Sequence, residues 1–361
     1  MPANYDLSAL ALPPGNTILY DDKGMPSIMY RVPKLTYKQL GLGSDETTFP
    51  AFIVNGTEVD EIYISKYLNI VKNGRAYSLP NQDPGNNMTF DQALQYCAAK
   101  GAGWHLMTAL EWGAMILWCE QNGFIPLGNN NYGKHSSESG YHAQPSSGHS
   151  NTQYATRTQT GTGPIEWYHD KTLGGIADLC GNVWEWTGGI RLVYGELQVL
   201  SNNNAADKDK SQAADSNLWM AINASSGALI TPNGSGTTSG SLKLDYQNSK
   251  LTWHTSITAS QGGDGADTYF TSNFPDIAVS SAVGSGGIAM LQALGLYKKT
   301  SSLITGSICY CRPFQPERSV NRGGDYGNTA SGFGSFGANH PRSLQGGSFG
   351  FRSAFCKLPS V

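Results

Sequence analysis

The chain has 361 residues, 39% of them hydrophobic and 11% aromatic, enough for one large domain with an arm or for two domains. Only 14% are charged while 44 are glycine, a balance that suits a loop-rich fold decorated with Asn, Ser, Gly and Tyr. The net charge of −3, without any basic run, argues against a nucleic-acid groove, which needs a positive patch.

The N-terminal stretch MPANYDLSALALPPGN has neither a charged n-region nor a long apolar h-region, so no secretory signal is expected. Residues 1–58 are punctuated by proline and hold short β-like runs, Thr17–Tyr20 and Ala51–Val54. Turn chemistry follows each run, Asp21-Asp22-Lys23-Gly24 and then Asn55-Gly56. They read equally well as an assembly or anchoring arm and as an N-terminal extension of the main sheet. The first option would allow a homo-oligomer, and with it avidity.

From Val59 to Ile64 the imperfect alternation predicts a half-buried strand. Thr89-Phe90-Asp91-Gln92 is a capping box, which predicts a helix to about Lys100. Thr108-Ala109-Leu110-Glu111 repeats the device, and Asn122-Gly123 supplies the stop. On that second helix Trp112, Met115, Ile116 and Cys119 recur at helical spacing and read as core. Residues 127–163 are polar. Their His135, His142 and His149 stand seven apart, but with no helix to stack them they read as surface loop rather than metal ligands.

The six cysteines, at 97, 119, 180, 309, 311 and 356, form no CxxC pair and read as reduced structural thiols. In Ile176–Trp186 the indoles of Trp184 and Trp186 alternate with Glu185, so both rings face one side of a strand. Residues 190–310 form a long insertion containing a hairpin, Ser241–Tyr246 with Lys250–Trp253, joined through Gln247-Asn248-Ser249. Ile277–Tyr297 carries no charge until its end but is diluted by Ser, Gly and Gln. It predicts a loop leading into a short packed helix, not a membrane span.

The capped helix from Thr89 followed by Trp104–Trp112 resembles a segment of the formylglycine-generating-enzyme group. Gly181-Asn182-Val183-Trp184-Glu185-Trp186 is similar to that group's G-N-V-W-E-W signature. Arg322-Gly323-Gly324 and Gly350-Phe351-Arg352 are similar to its R-G-G and G-F-R landmarks. The resemblance covers roughly residues 59–189 and 312–356. It implies an α+β C-type lectin fold of the formylglycine-generating-enzyme subtype, with long loops and a large insertion, over residues 59–361.

That group oxidises a substrate cysteine with two copper-binding cysteines between R-G-G and G-F-R. Here no cysteine lies between Gly324 and Gly350, and the corresponding positions fall near Asn328 and Phe333. The three-His iron site of related sulfoxide synthases has no counterpart, and the calcium-lectin motifs E-P-N, Q-P-D and W-N-D are missing. No catalytic residue, metal site or cofactor is expected, although the oxygen-rich loops allow a structural calcium ion.

The segment from Arg322 to Phe355 resembles the variable region of diversity-generating-retroelement proteins, placed here at about 321–356. In that family adenine-directed copying rewrites Asn-type codons, which cannot yield Lys, Glu, Gln, Met or Trp. Between Asp325 and Phe349 only Gln345 belongs to that excluded set. The resemblance implies a non-catalytic protein that presents a variable surface to a host or cell-surface macromolecule, in the first place a protein, from a virion (phage tail or fibre) or a cell surface. The expected contact residues are Asp325, Tyr326, Gly327, Asn328, Ser331, Phe336 and Gly337, then Asn339, His340, Arg342, Ser343, Leu344 and Ser348. Their mix of rigid aromatic area and adaptable polar groups suits recognition, as in antibody loops. Phe349 and Phe351 read as core, and Gly323, Gly324 and Gly350 as backbone requirements. The alternatives are a formylglycine-generating-like oxidase with a displaced active site and a structural phage or surface protein.

Overall fold

The computed structural model describes residues 12–147, 154–259, 268–300 and 302–358. Its first two helices start where the capping boxes place them. In α1 (Phe90–Ala98) the Thr89 hydroxyl accepts from the Gln92 amide at 3.2 Å, and the Gln92 side chain accepts from the Thr89 amide at 3.0 Å. Thr108 and Glu111 repeat that exchange at α2 (Ala109–Asn122), which ends on Gly123 at φ 76°. Both pairs satisfy helix-end N–H groups that would otherwise be orphaned.

The helix α2 is buried around nearly its whole circumference, as an interior helix must be. Its Gly113 lets a third helix, α3 (Ser285–Ala293), approach closely; a Cβ there would lie 1.9 Å from the Ala293 carbonyl oxygen. The helix α3 is the packed helix expected inside Ile277–Tyr297. No helix among the described residues is long and apolar enough to cross a membrane.

A five-stranded sheet runs in the order Asn16–Tyr20, Pro26–Pro33, Glu61–Ser65, Ser353–Phe355, Trp104–Leu106. Residues 16–33 thus extend the main sheet, and the C-terminal strand lies antiparallel between two strands from the first third of the chain. The second sheet has twelve strands. Its central path joins Phe270–Asn273, Ile308–Cys311, Phe336–His340, Arg318–Arg322, Trp184–Val193 and Glu196–Val199, and then the hairpin Lys243–Gln247 with Lys250–His254. The insertion therefore feeds strands into the same sheet as the landmarks. The hairpin turns on Asn248 and Ser249, both at positive φ, and its register pairs Gln247 with Lys250.

The two faces of Trp184-Glu185-Trp186 are both buried. Glu185 pairs with Arg352 at 2.9 and 3.1 Å, and the same guanidinium donates to the carbonyls of Ser65, Ala177 and Asp178. This one cluster ties the strand Trp184–Val193, the strand Glu61–Ser65 and the C-terminal strand together. Asn182, at φ 65°, completes the turn ahead of that strand. Its side-chain amide exchanges two hydrogen bonds with the Thr158 backbone, as a neighbouring strand would.

All six cysteines are free and buried. In the polar stretch, His135 bonds the Ser137 hydroxyl and His142 packs on the Tyr154 ring, while His149 lies outside the described residues.

Candidate functional site

Strand register creates a hollow beside the landmarks. Tyr310, Gly337 and Asn321 are direct cross-strand neighbours on three adjacent strands, and Asn321 in turn opposes Trp186. Paired residues in a sheet share a face, so this row places a residue with no side chain between a tyrosine and an asparagine. A Cβ at Gly337 would come within 2.4 Å of the Asn321 side-chain oxygen and 3.2 Å of that of Asn339. The Asn321 and Asn339 side chains close over Gly337 and form the floor of a cavity of about 260 Å³, whose remaining lining is Trp184, Tyr269, Tyr310, Asp325, His340 and Phe349.

Alternation supplies the walls. Cys309 and Cys311 point into the core, which turns Tyr310 between them toward the cavity. Trp184 and Trp186 share a face, but only Trp186 is capped from above, by Phe349 at 5.5 Å, so Trp184 is left to the hollow. The rings of Trp184 and Tyr310 meet edge to face at 6.0 Å. Tyr269, about half exposed, stands 5.4 Å from Tyr310 at the rim. On the opposite side His340 meets Phe349 edge-on at 5.2 Å.

The polar groups are few. The Asp325 carboxylate accepts from the Gly327 amide at 3.2 Å and from the Ser348 hydroxyl, and burial pushes its pKa up. Burial pushes His340 down to about 4, with Arg312 and Arg318 adding to the effect, so the ring is neutral at physiological pH. Its Nε2 lies 3.2 Å from the Asn339 amide nitrogen, consistent with an acceptor tautomer. The side-chain nitrogen of Asn321 is buried and has no hydrogen-bond partner among the described residues.

The expected contact residues divide into three groups. Asp325, Asn339 and His340 line the cavity. Tyr326, Gly327, Asn328 and Ser348 adjoin or touch its lining residues and, like Ser343, are partly or fully exposed. Asn328 donates to the Tyr310 hydroxyl at 2.9 Å, and Tyr326 packs beside Tyr132. The remaining five are corrected by the structure. Ser331 and Phe336 are interior: Ser331 accepts the Asp325 amide, and Phe336 packs beside the Arg322 guanidinium. Gly337 is also buried, and it contributes space rather than contact. Arg342 is held by Glu317 and Asp91 and covers the Phe90 ring, so it braces α1. Leu344 packs against the cluster around Phe351 and Trp186. Phe351 is core as expected, but Phe349 is also a cavity wall.

Five cavity residues were not among the expected contacts: Trp184, Tyr269, Tyr310, Asn321 and Phe349. The alternation in Cys309-Tyr310-Cys311 was the one local signal available for them.

The site does not suit copper. Asn328 is committed to Tyr310, and Phe333 is buried against Trp112. Burial pushes every thiol up, Cys180 and Cys309 to about 12, whereas a soft-metal ligand must be a thiolate.

Among curated proteins no sequence matches the chain. Solved structures to which the chain is similar include the following three. PvdO from Pseudomonas aeruginosa is 14% identical, with 96% of this chain and 99% of that one covered and a TM-score of 0.37. Treponema denticola variable protein 1 is 11% identical, with 95% and 99% covered and a TM-score of 0.32. A Major Tropism Determinant U1 variant is 12% identical, with 96% and 73% covered and a TM-score of 0.32. The family model described as the sulfatase-modifying factor enzyme 1-like domain matches residues 22–211, over half of the chain. Of the cavity residues only Trp184 falls within that span. The chain therefore belongs to the family of sulfatase-modifying factor enzyme 1-like domains, with the mixed α+β, C-type-lectin-like architecture of its members.

Proposed function

We propose that the chain is a non-catalytic ligand-binding protein of the diversity-generating-retroelement kind, displayed on a virion or cell surface, which grips a host or cell-surface protein with the cavity and its rim. One observation carries the reading: Asp325, Asn339 and His340, from the stretch whose residue types agree with adenine-directed change, line a hollow whose floor and far wall belong to rigid strands. Contact residues can change there while Gly323, Gly324 and Arg352 hold the backbone. Partial concavity with aromatic walls and few polar groups is what recognition sites share. The family's copper chemistry lacks its thiolates, which supports a binding role for this member.

Deep sequencing of the 3′ coding end in a long-propagated population tests this. Substitutions at adenines should concentrate in codons 325, 326, 328, 339 and 340 and spare codons 323, 324, 350 and 352. An adjacent reverse-transcriptase gene and a near-copy of the 3′ end should accompany them. A substitution rate no higher there than in codons 243–254 would overturn the reading.

A further inference from the structure

Asp325 makes no ion pair among the described residues, and the cavity it faces has aromatic rings on most of its remaining wall. Arg312 lies over Tyr269 on the rim, and Arg312 and Arg318 act on His340. A carboxylate drawn partly out of water without a cation is incompletely compensated. Ring faces carry negative quadrupoles, and they attract the same sign of ligand charge.

From this charge complementarity we infer that the cavity takes an arginine side chain from a loop of the partner protein, its guanidinium set against the aromatic wall of Trp184 and Tyr310 and bonded to Asp325. A planar guanidinium stacks on rings and meets a carboxylate with two parallel N–H donors, which an ammonium cannot do. The inference rests on the cavity being the partner-binding site. It also makes the preference specific to this chain, since a changed codon 325 would remove it.

The test uses the full chain and four probes, the N-acetyl methylamides of arginine, citrulline, lysine and glutamate, with binding followed by saturation-transfer NMR. The arginine probe should bind saturably and citrulline about tenfold more weakly, the scale of one charge-assisted contact. Asp325→Asn should erase that difference, and Tyr310→Leu should weaken the arginine probe, each with the wild-type melting temperature nearly retained. Equal binding of citrulline, equal binding of lysine, preference for glutamate, or an unaffected Asp325→Asn would each overturn the assignment. The two proposals fail separately. Codon variation without arginine binding removes only the arginine anchor. Arginine binding without codon variation removes only the variable-protein reading.

Discussion

The junction at Glu185 and the cavity at Asp325 each draw a carboxylate out of water, and they treat it in opposite ways. Glu185 meets the guanidinium of its own chain's Arg352 at 2.9 and 3.1 Å, with both groups fully enclosed. Asp325 meets a backbone amide and a hydroxyl and opens onto a hollow. Trp184 and Glu185 are consecutive residues, yet one belongs to the hollow and the other to the junction, because a strand sends neighbours to opposite faces. The difference is that the carboxylate closed within the chain ties its scaffold, whereas the one left open toward ring faces is where we propose that the partner enters.

The contrast is most sharply broken at Arg352. Replacing it by Met should cost about 3–5 kcal/mol, because Glu185 would be left buried without its partner. Denaturant unfolding checks this, and a loss below about 1 kcal/mol would show that the junction is not the scaffold's tie. Gly337→Ala comes next. Overpacking against Asn321 should cost about 1–3 kcal/mol and should abolish binding at the cavity, although no wall residue is altered. Retained binding would mean that the hollow's floor is not used.

Thr108→Ala removes a helix cap that also donates to Asn203 at 2.7 Å, and should lower stability by about 1 kcal/mol with binding intact. Ser343→Ala, on the exposed rim, should stay within about 0.5 kcal/mol by the same denaturant assay.

One pH dependence runs through both regions. Burial, aided by Arg352, holds His169 down to about 4 in the framework, and burial with Arg312 and Arg318 does the same for His340 in the cavity. The unfolded chain protonates each near 6.5 and the folded chain only near 4, so the unfolded state binds more protons across that window. These two histidines therefore favour unfolding as pH drops from 6.5 toward 4, while Asp178, which burial raises to about 6, favours folding over the same window. His169→Gln and His340→Gln should each remove part of the histidine contribution. A change in midpoint between pH 7 and about pH 5 that is the same in both variants as in the wild type would contradict both assignments.

Much of the scaffold was legible in order along the chain. The capping boxes at Thr89 and Thr108, the Gly123 stop, the hairpin on Asn248-Ser249 and the helix within Ile277–Tyr297 depend on residues a few positions apart. Local hydrogen bonding and backbone preference decide such features, so the sequence alone suffices for them. The landmarks at 181–186, 322–324 and 350–352 likewise marked the framework.

The site was legible only in part. Asp325, Asn339 and His340, expected as contacts, line the cavity, but Phe336 and Gly337 looked like surface because the strand Phe336–His340 is buried on both faces, and alternation then carries no inside-outside signal. Tyr269 and Tyr310 come from the insertion and its end, and they reach the cavity solely through pairing of Phe270–Asn273 with Ile308–Cys311 and of that strand with Phe336–His340. The sequence by itself determined which residue types the C-terminal stretch offers and where its framework begins and ends. Tertiary pairing decided that glycine falls between Tyr310 and Asn321, since cross-strand register joins residues far apart in the chain and no local pattern encodes it.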